Sequence, residues 1–299
     1  MEVEPRLATL NDVEIEDNLL YPAVEPTSLS PVSNANEPTP DNPPWGVLEA
    51  VGLWIASVLL ILIIPTLFLL PYLATLQPPI IDTDQIIEFA KSDPMSIFLQ
   101  ITAIIPAHIL TVLIGWLVIT RIRKFSFRKT LGWESGGFRW WHYCIVLGGF
   151  FTIAALVGFY FPEQENDLIR MLKSSRSAVY IVAFVATFTA PFVEEVVYRG
   201  VLYSAFQRAL GVPAAFLLVT FLFAVVHVPQ YYPSYSTIFL LTILSFTLTA
   251  VRVKTNNLLP CIILHTVFNG IQSFLLIAEP LITKPDVQEQ TASIFNLLK

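Results

Sequence analysis

Residues 187–206 read TFTAPFVEEVVYRGVLYSAF, an apolar stretch long enough to cross a membrane that nevertheless contains Glu194, Glu195 and Arg199. On insertion scales, an ionisable side chain at the bilayer centre costs about 2.5 to 3.5 kcal/mol unless it is paired or lines a wet cavity. The three charged residues therefore indicate a functional site inside a membrane-spanning helix.

The composition of the whole chain is typical of a polytopic membrane protein. Of its 299 residues, 55% are hydrophobic and 13% are charged, whereas soluble domains average about 25% charged residues. Hydropathy predicts an all-α bundle of about seven transmembrane helices. The predicted spans are residues 46–74, 96–120, 140–161, 178–206, 213–230, 236–251 and 258–279.

The chain divides into four predicted regions. Residues 1–45 hold nine acids, one base and eight prolines, a composition that favours a disordered tail because it offers little apolar surface to bury. Residues 46–125 contain two N-terminal spans and the start of a basic joint. Residues 126–282 form the helical core, and residues 283–299 form a short C-terminal tail.

The basic joint between the second and third spans predicts the orientation in the membrane. Residues 121–139 carry six bases and one acid, and cytoplasmic loops are enriched in Lys and Arg. The joint is therefore predicted to be cytoplasmic, which places the N-terminus in the cytoplasm as well.

Two histidines and an asparagine in later spans lie at depths compatible with the charged cluster. At about 1.5 Å rise per residue, Glu194 lies about 18 Å and His227 about 21 Å from the predicted cytoplasmic ends of their spans. By the same rise, His265 and Asn269 lie about 10 and 16 Å deep. The depths predict that these side chains form one site in the middle or cytoplasmic half of the membrane.

Helical phase separates the roles of the two glutamates. Glu195 and Arg199 are four residues apart with the acid first, the favourable order for an ion pair on one helix face. Glu194 points about 100° away on an α-helix and shares its face with Tyr198. We therefore interpret Glu195 and Arg199 as a structural ion pair and Glu194 as a free carboxylate, available to meet a histidine and deprotonate a water.

The residues themselves leave two chemistries open. His265 and Asn269 occupy one helix face and could donate hydrogen bonds to a developing oxyanion. Alternatively, Glu194, His227 and His265 could bind zinc with an open position for water. A structural role is expected for the two remaining histidines, His108 and His142.

Three motifs in this region together resemble a known family. They are EEVVYRG (residues 194–200), FAVVH (residues 223–227) and HTVFN (residues 265–269). The set resembles the EExxxR, FxxxH and HxxxN/D motifs of the CPBP family, the CAAX-protease and bacteriocin-processing intramembrane proteases that include Rce1-type prenyl endopeptidases. All three motifs occur in the family's order, each within an apolar segment.

The resemblance implies an intramembrane endopeptidase of the bacterial cell membrane with a cytoplasm-facing cavity. It implies that Glu194 and His227 activate water while His265 and Asn269 stabilise the oxyanion. The cofactor is left open; we favour a metal-free mechanism, with zinc on Glu194, His227 and His265 as the alternative. The implied partners are membrane lipids and a peptide or protein substrate, with or without a lipid modification, and no nucleic acid.

Two other functions are compatible with the sequence. A non-proteolytic scaffold or bacteriocin-immunity protein of the same family would bind a partner without hydrolysis, although such a protein is expected to lose a catalytic position. A proton-coupled transporter would also place Glu, His and Arg inside the membrane. Transporters usually show internal repeats with broken helices, and no repeat is visible here.

Overall fold

A computed structural model describes residues 37–282 of the chain. Within this range the regular elements are helices, and seven of them are long and apolar enough to cross a membrane. The prediction of an all-α membrane bundle is therefore confirmed. The long helices are α1 (Val47–Leu73), α3 (Pro94–Thr120), α5 (Trp140–Tyr160), α7 (Arg176–Leu210), α8 (Val212–Tyr231), α9 (Tyr235–Thr255) and α10 (Leu259–Ile282).

Three short helices lie between the long ones. They are α2 (Thr83–Ser92), α4 (Phe127–Leu131) and α6 (Asp167–Ser174). The Asp93 carboxylate accepts from the Ser96 backbone N–H at 2.8 Å and caps α3, which begins with a proline whose missing N–H costs nothing at that position. A local polar side chain, Asp93, thus fixes the residue at which α3 begins.

The turn after α4 packs tightly against the start of α10. The Leu258 backbone N–H donates to the Gly132 carbonyl oxygen at 2.8 Å. Gly132 has φ +72°, and a Cβ there would lie 2.8 Å from Asn257 Oδ1. A Cβ at Gly136 would lie 2.5 Å from the Thr255 carbonyl oxygen. Only glycine fits these positions, so the basic joint is held in one conformation against α9 and α10.

The central helix of the bundle is α7. Its residues from Glu195 to Phe206 are all buried, and they pack against apolar side chains of α1, α3 and α8. The second core cluster joins α5, α9 and α10 around Phe150 and Phe268, whose ring centroids are 4.6 Å apart. Glu195, Arg199 and His265 therefore lie in the enclosed core, whereas Glu194, His227 and Asn269 are only partly buried.

The helix α7 is not α-helical throughout, whereas the predicted roles of its two glutamates assumed a regular rotation of 100° per residue. Segments 185–189 and 195–202 are π-helical, with each N–H bonded five residues back rather than four. The rotation per residue is smaller in a π-turn, so the 100° steps from Glu194 to Tyr198 do not apply. Tyr198 instead turns its hydroxyl to Trp54, which donates to it at 3.1 Å.

Side chains from elsewhere in the chain bind the carbonyl groups of these π-helical segments. Trp45 Nε1 donates to the Val201 carbonyl oxygen at 3.0 Å, and Arg252 Nε donates to that of Arg199 at 3.2 Å. Because buried carbonyl groups need hydrogen-bond partners, these tertiary contacts stabilise the π-helical geometry.

Residues 38–45, which we call the N-terminal strap, differ from the predicted disordered tail of residues 1–45. The strap packs on one end of the bundle, and Trp45 is only 1% exposed. Arg121, directly after α3, Arg208 of α7 and Arg252 of α9 donate to its carbonyl oxygens at Pro44, Pro43 and Pro40. Burial of the Trp45 ring and the hydrogen bonds from these arginines order residues 38–45, although the composition of residues 1–45 predicts disorder. Residues 1–36 and the predicted C-terminal tail, 283–299, lie outside the described residues.

Candidate active site

The Arg199 guanidinium is buried in a network of polar groups. Its Nη1 donates to Glu195 Oε1 at 2.9 Å, and both side chains are fully inaccessible. Its Nη2 donates to the hydroxyl and carbonyl oxygens of Ser245 at 2.8 and 3.0 Å, and Nε donates to Thr249 Oγ1 at 3.4 Å. The Phe223 ring lies 4.7 Å from the guanidinium carbon. A buried charge with this many partners has little freedom to move.

The imidazole of His265 lies between the two glutamates. Its Nδ1 is 2.8 Å from Glu195 Oε1, and its Nε2 is 3.8 Å from Glu194 Oε2. An ionised Glu195 can only accept, so Nδ1 carries a hydrogen. Glu195 therefore does more than balance Arg199, because its Oε1 also orients the His265 ring and sets its tautomer.

Glu194 is the more accessible of the two acids. Its side chain is 23% exposed, whereas that of Glu195 is 0% exposed. It lies at the junction between an α-helical and a π-helical segment of α7, and no hydrogen bond to its carboxylate occurs among the described residues. Glu194 therefore has the accessibility that a group reacting with water needs.

His227 is anchored by its own helix. The ring lies 2.7 Å from the Phe223 carbonyl oxygen through Nδ1, so Nδ1 donates and the neutral ring has an unprotonated Nε2. The Phe223 side chain contacts both histidines, with ring centroids 4.7 Å from His227 and 6.2 Å from His265. Phe223 thus packs against both imidazoles.

One amide hydrogen of Asn269 is donated to a backbone carbonyl and not to the predicted oxyanion position. Its Nδ2 donates to the Ala186 carbonyl oxygen at 2.8 Å, within the first π-helical segment of α7. The amide group has two hydrogens, so one remains for a second acceptor. The prediction that Asn269 and His265 aim at one point therefore rests on this second hydrogen.

Several polar residues near the site were not singled out in the sequence analysis. Ser245 and Thr249 bind Arg199; the same span also contains Ser236, Thr237, Thr242 and Thr247, so no sequence signal distinguishes the two. His108, for which a structural role was predicted, has its Nδ1 2.9 Å from Thr189 Oγ1 of α7. His142 lies outside the site, where its Nδ1 accepts from the Arg139 backbone N–H at 2.9 Å.

The donors proposed for zinc are not gathered into a metal site. No three His, Cys, Asp or Glu side chains within residues 37–282 are close enough to hold one ion. The Nδ1 hydrogen bonds of His265 to Glu195 and of His227 to a backbone carbonyl leave Nε2 of each ring free, so it is the separation of the side chains that prevents them from sharing an ion. As placed in residues 37–282, Glu194, His227 and His265 do not form a zinc site.

Comparison with known proteins gives one match. A family model described as type II CAAX prenyl endopeptidase Rce1-like matches residues 176–271, which include all four predicted catalytic positions. No curated protein and no solved structure matches the chain. The match begins with α7, so α1, α3 and α5 lie outside it.

Proposed function

We propose that this chain, which over residues 176–271 belongs to the CPBP family of Rce1-like CAAX prenyl endopeptidases, hydrolyses a peptide bond within the membrane using a water activated by Glu194. The family match confirms the resemblance found in the three motifs. The observation that carries the mechanism is the position of His265, 2.8 Å from Glu195 and 3.8 Å from Glu194. An accessible acid beside a histidine that a second, buried acid orients is the arrangement that general acid–base catalysis requires.

In the proposed reaction, the Glu194 carboxylate takes a proton from a water whose oxygen attacks the scissile carbonyl carbon. Nε2 of His227, left unprotonated by the bond from Nδ1 to Phe223, accepts the second hydrogen of that water in a hydrogen bond. The protonated Glu194 then gives its proton to the departing amine nitrogen as the carbon–nitrogen bond breaks. Atoms and charge balance without a further reactant.

The oxyanion of the tetrahedral intermediate needs donors. Nε2 of His265, whose Nδ1 hydrogen points to Glu195, donates to the oxyanion when the ring carries a hydrogen on both nitrogens. The free amide hydrogen of Asn269 is the second donor. Preorganised donors of this kind are worth about 10²- to 10³-fold in rate each.

Alanine substitution of the two histidines tests this division of roles. We expect His265→Ala to lower turnover by about 10² to 10³ and leave measurable activity, because an oxyanion donor is lost while the base remains. His227→Ala should lower turnover further, because His227 takes part directly in activating the water. Turnover of each purified variant on a peptide library, with and without chelator, measures the difference. One zinc per wild-type molecule, lost together with activity in both variants, would contradict the mechanism.

The orientation of the site is proposed from the charge of the joints. Reporter fusions within residues 121–139 are expected to read cytoplasmic and fusions within residues 229–236 external, because the first segment carries six bases and the second none. The reverse result would place the site on the opposite face and remove cytoplasmic peptides as substrates. A reporter at residue 257, between α9 and α10, serves as a second cytoplasmic position.

A further inference from the structure

A cleft of about 260 Å³ lies between α3 and α7, and neither the mechanism nor the sequence motifs account for it. Its mouth is formed by Ile109 and Phe188, which are 56% and 64% exposed. Its inner end is formed by His108 and Val193, each only 5% exposed. The cleft thus leads from the outer surface of the bundle to the residue directly before Glu194.

The wall of this cleft is apolar apart from one pair of polar side chains. Thr189 Oγ1 lies 3.2 Å from the Val185 carbonyl oxygen and donates its single hydrogen there. The same oxygen must therefore accept from His108 Nδ1, 2.9 Å away. This arrangement fixes the neutral His108 ring with its hydrogen on Nδ1 and a lone pair on Nε2.

Nε2 of His108 has no hydrogen-bond partner among the described residues, although the side chain is 95% buried. This nitrogen is absent from the fully inaccessible side-chain atoms that lack a hydrogen-bond partner, so part of its surface is accessible. Because His108 lines the cleft, this nitrogen is reachable from it. Buried polar groups are normally hydrogen-bonded, so the cleft presents an apolar wall and one unused acceptor to its occupant.

We propose that this cleft is a binding subsite for one large apolar side chain of the peptide substrate, and that His108 Nε2 accepts a hydrogen bond from a peptide N–H beside that side chain. The inference rests on the proposed peptidase function. A bilayer hydrocarbon chain would cover the apolar wall but leave Nε2 unpaired, whereas a peptide supplies the donor. An apolar cavity of about 150 Å³ holds benzene, so a phenylalanine side chain fits here.

The subsite is formed partly by α3, which lies outside the residues that the family model matches and would thereby take part in substrate binding. Ile109 and His108 belong to α3, whereas Val193 belongs to α7 within residues 176–271. A side chain bound against Val193 brings its own backbone next to Glu194. The helix α3 is thereby assigned a role in choosing which peptide bond is cleaved, and His108 is a specificity-determining residue.

The test measures peptide binding and cleavage separately. Short fluorescein-labelled peptides that bind the Glu194→Gln protein in detergent are prepared with phenylalanine or alanine at each position in turn. In that background, Ile109→Trp closes the mouth of the cleft and should weaken binding of one phenylalanine peptide by about tenfold, within the range for a misfitted apolar pocket. The matching alanine peptide should change less than twofold. Leu117→Trp, at a 47% exposed position of α3 outside the cleft, is the control and should bind both peptides normally.

Substitution of His108 tests the hydrogen bond. His108→Phe keeps an aromatic ring but removes Nε2, and should weaken both peptides by roughly fivefold, as expected for one hydrogen bond. His108→Gln restores an acceptor and should recover part of the loss. Equal loss of the phenylalanine and alanine peptides in Ile109→Trp, or the same loss in Leu117→Trp, would overturn the subsite. Peptides that bind as predicted but remain uncut by the wild type would instead overturn the proposed peptidase function.

Discussion

Replacing Glu194 with Gln should lower the rate of peptide cleavage by about 10²- to 10⁴-fold, the contribution expected of a general base. The amide keeps the volume of the side chain and cannot take a proton from water. The Glu194 side chain is 23% exposed and makes no hydrogen bond that holds the helices together. The variant should therefore insert into the membrane and melt at the temperature of the wild type.

Cleavage is measured with the same peptide library for wild type and variant, and folding is followed by thermal unfolding in detergent. Glu88→Gln, at an exposed position of α2, removes an acid far from the site and should leave the cleavage rate unchanged. A Glu194→Gln protein that cleaves at the wild-type rate would exclude Glu194 as the base.

Replacing Glu195 with Gln should instead destabilise the fold by about 3 to 5 kcal/mol, the usual cost of breaking a buried pair by removing one partner. Arg199 is completely buried, and without the Glu195 carboxylate its charge is left with neutral partners, among them Ser245 and Thr249. The Gln carbonyl oxygen can still accept from His265 Nδ1 and Arg199, but it carries no charge to balance the guanidinium. We expect a lower unfolding temperature and poor recovery from detergent.

Two further variants separate the ion pair from a general effect of substitution. Glu195→Leu combined with Arg199→Met should regain much of the stability lost in the single variants, because apolar side chains often replace buried ion pairs without loss. Glu165→Gln breaks the exposed pair with Lys173, whose nitrogen lies 3.0 Å from the carboxylate, and should cost less than about 1 kcal/mol. Unfolding temperatures of Glu195→Gln and wild type that coincide would rule out the structural role of the pair.

The fold follows from the sequence because hydropathy is a local property. Each predicted span corresponds to a helix, and residues 236–251 lie within the 21-residue helix Tyr235–Thr255. A run of apolar side chains must become helical in a bilayer, since every backbone polar group has to be satisfied within the segment. The three motifs likewise revealed the resemblance to Rce1-like endopeptidases, which a family model matches over residues 176–271, because they are short patterns that need no tertiary contact to be seen.

The arrangement of the candidate site was only partly predictable. Glu194, His227, His265 and Asn269 were selected because polar groups are costly inside a membrane. Their relative placement assumed a regular α-helix, which residues 195–202 do not form. As a result, the sequence did not indicate that His265 contacts both glutamates, or that Asn269 bonds to Ala186. The catalytic roles of these residues remain predictions.

What the sequence by itself determined is the set of membrane helices, the motif resemblance that a family model matches over residues 176–271, and the residues that carry charge inside the bundle. Only the tertiary structure decided the π-helical course of α7, the packing of the N-terminal strap and the cleft beside His108. The physical reason is that a π-turn depends on distant partners, such as Trp45 bonded to Val201 and Arg252 bonded to Arg199. Those hydrogen bonds join residues more than fifty positions apart, and no local pattern encodes them.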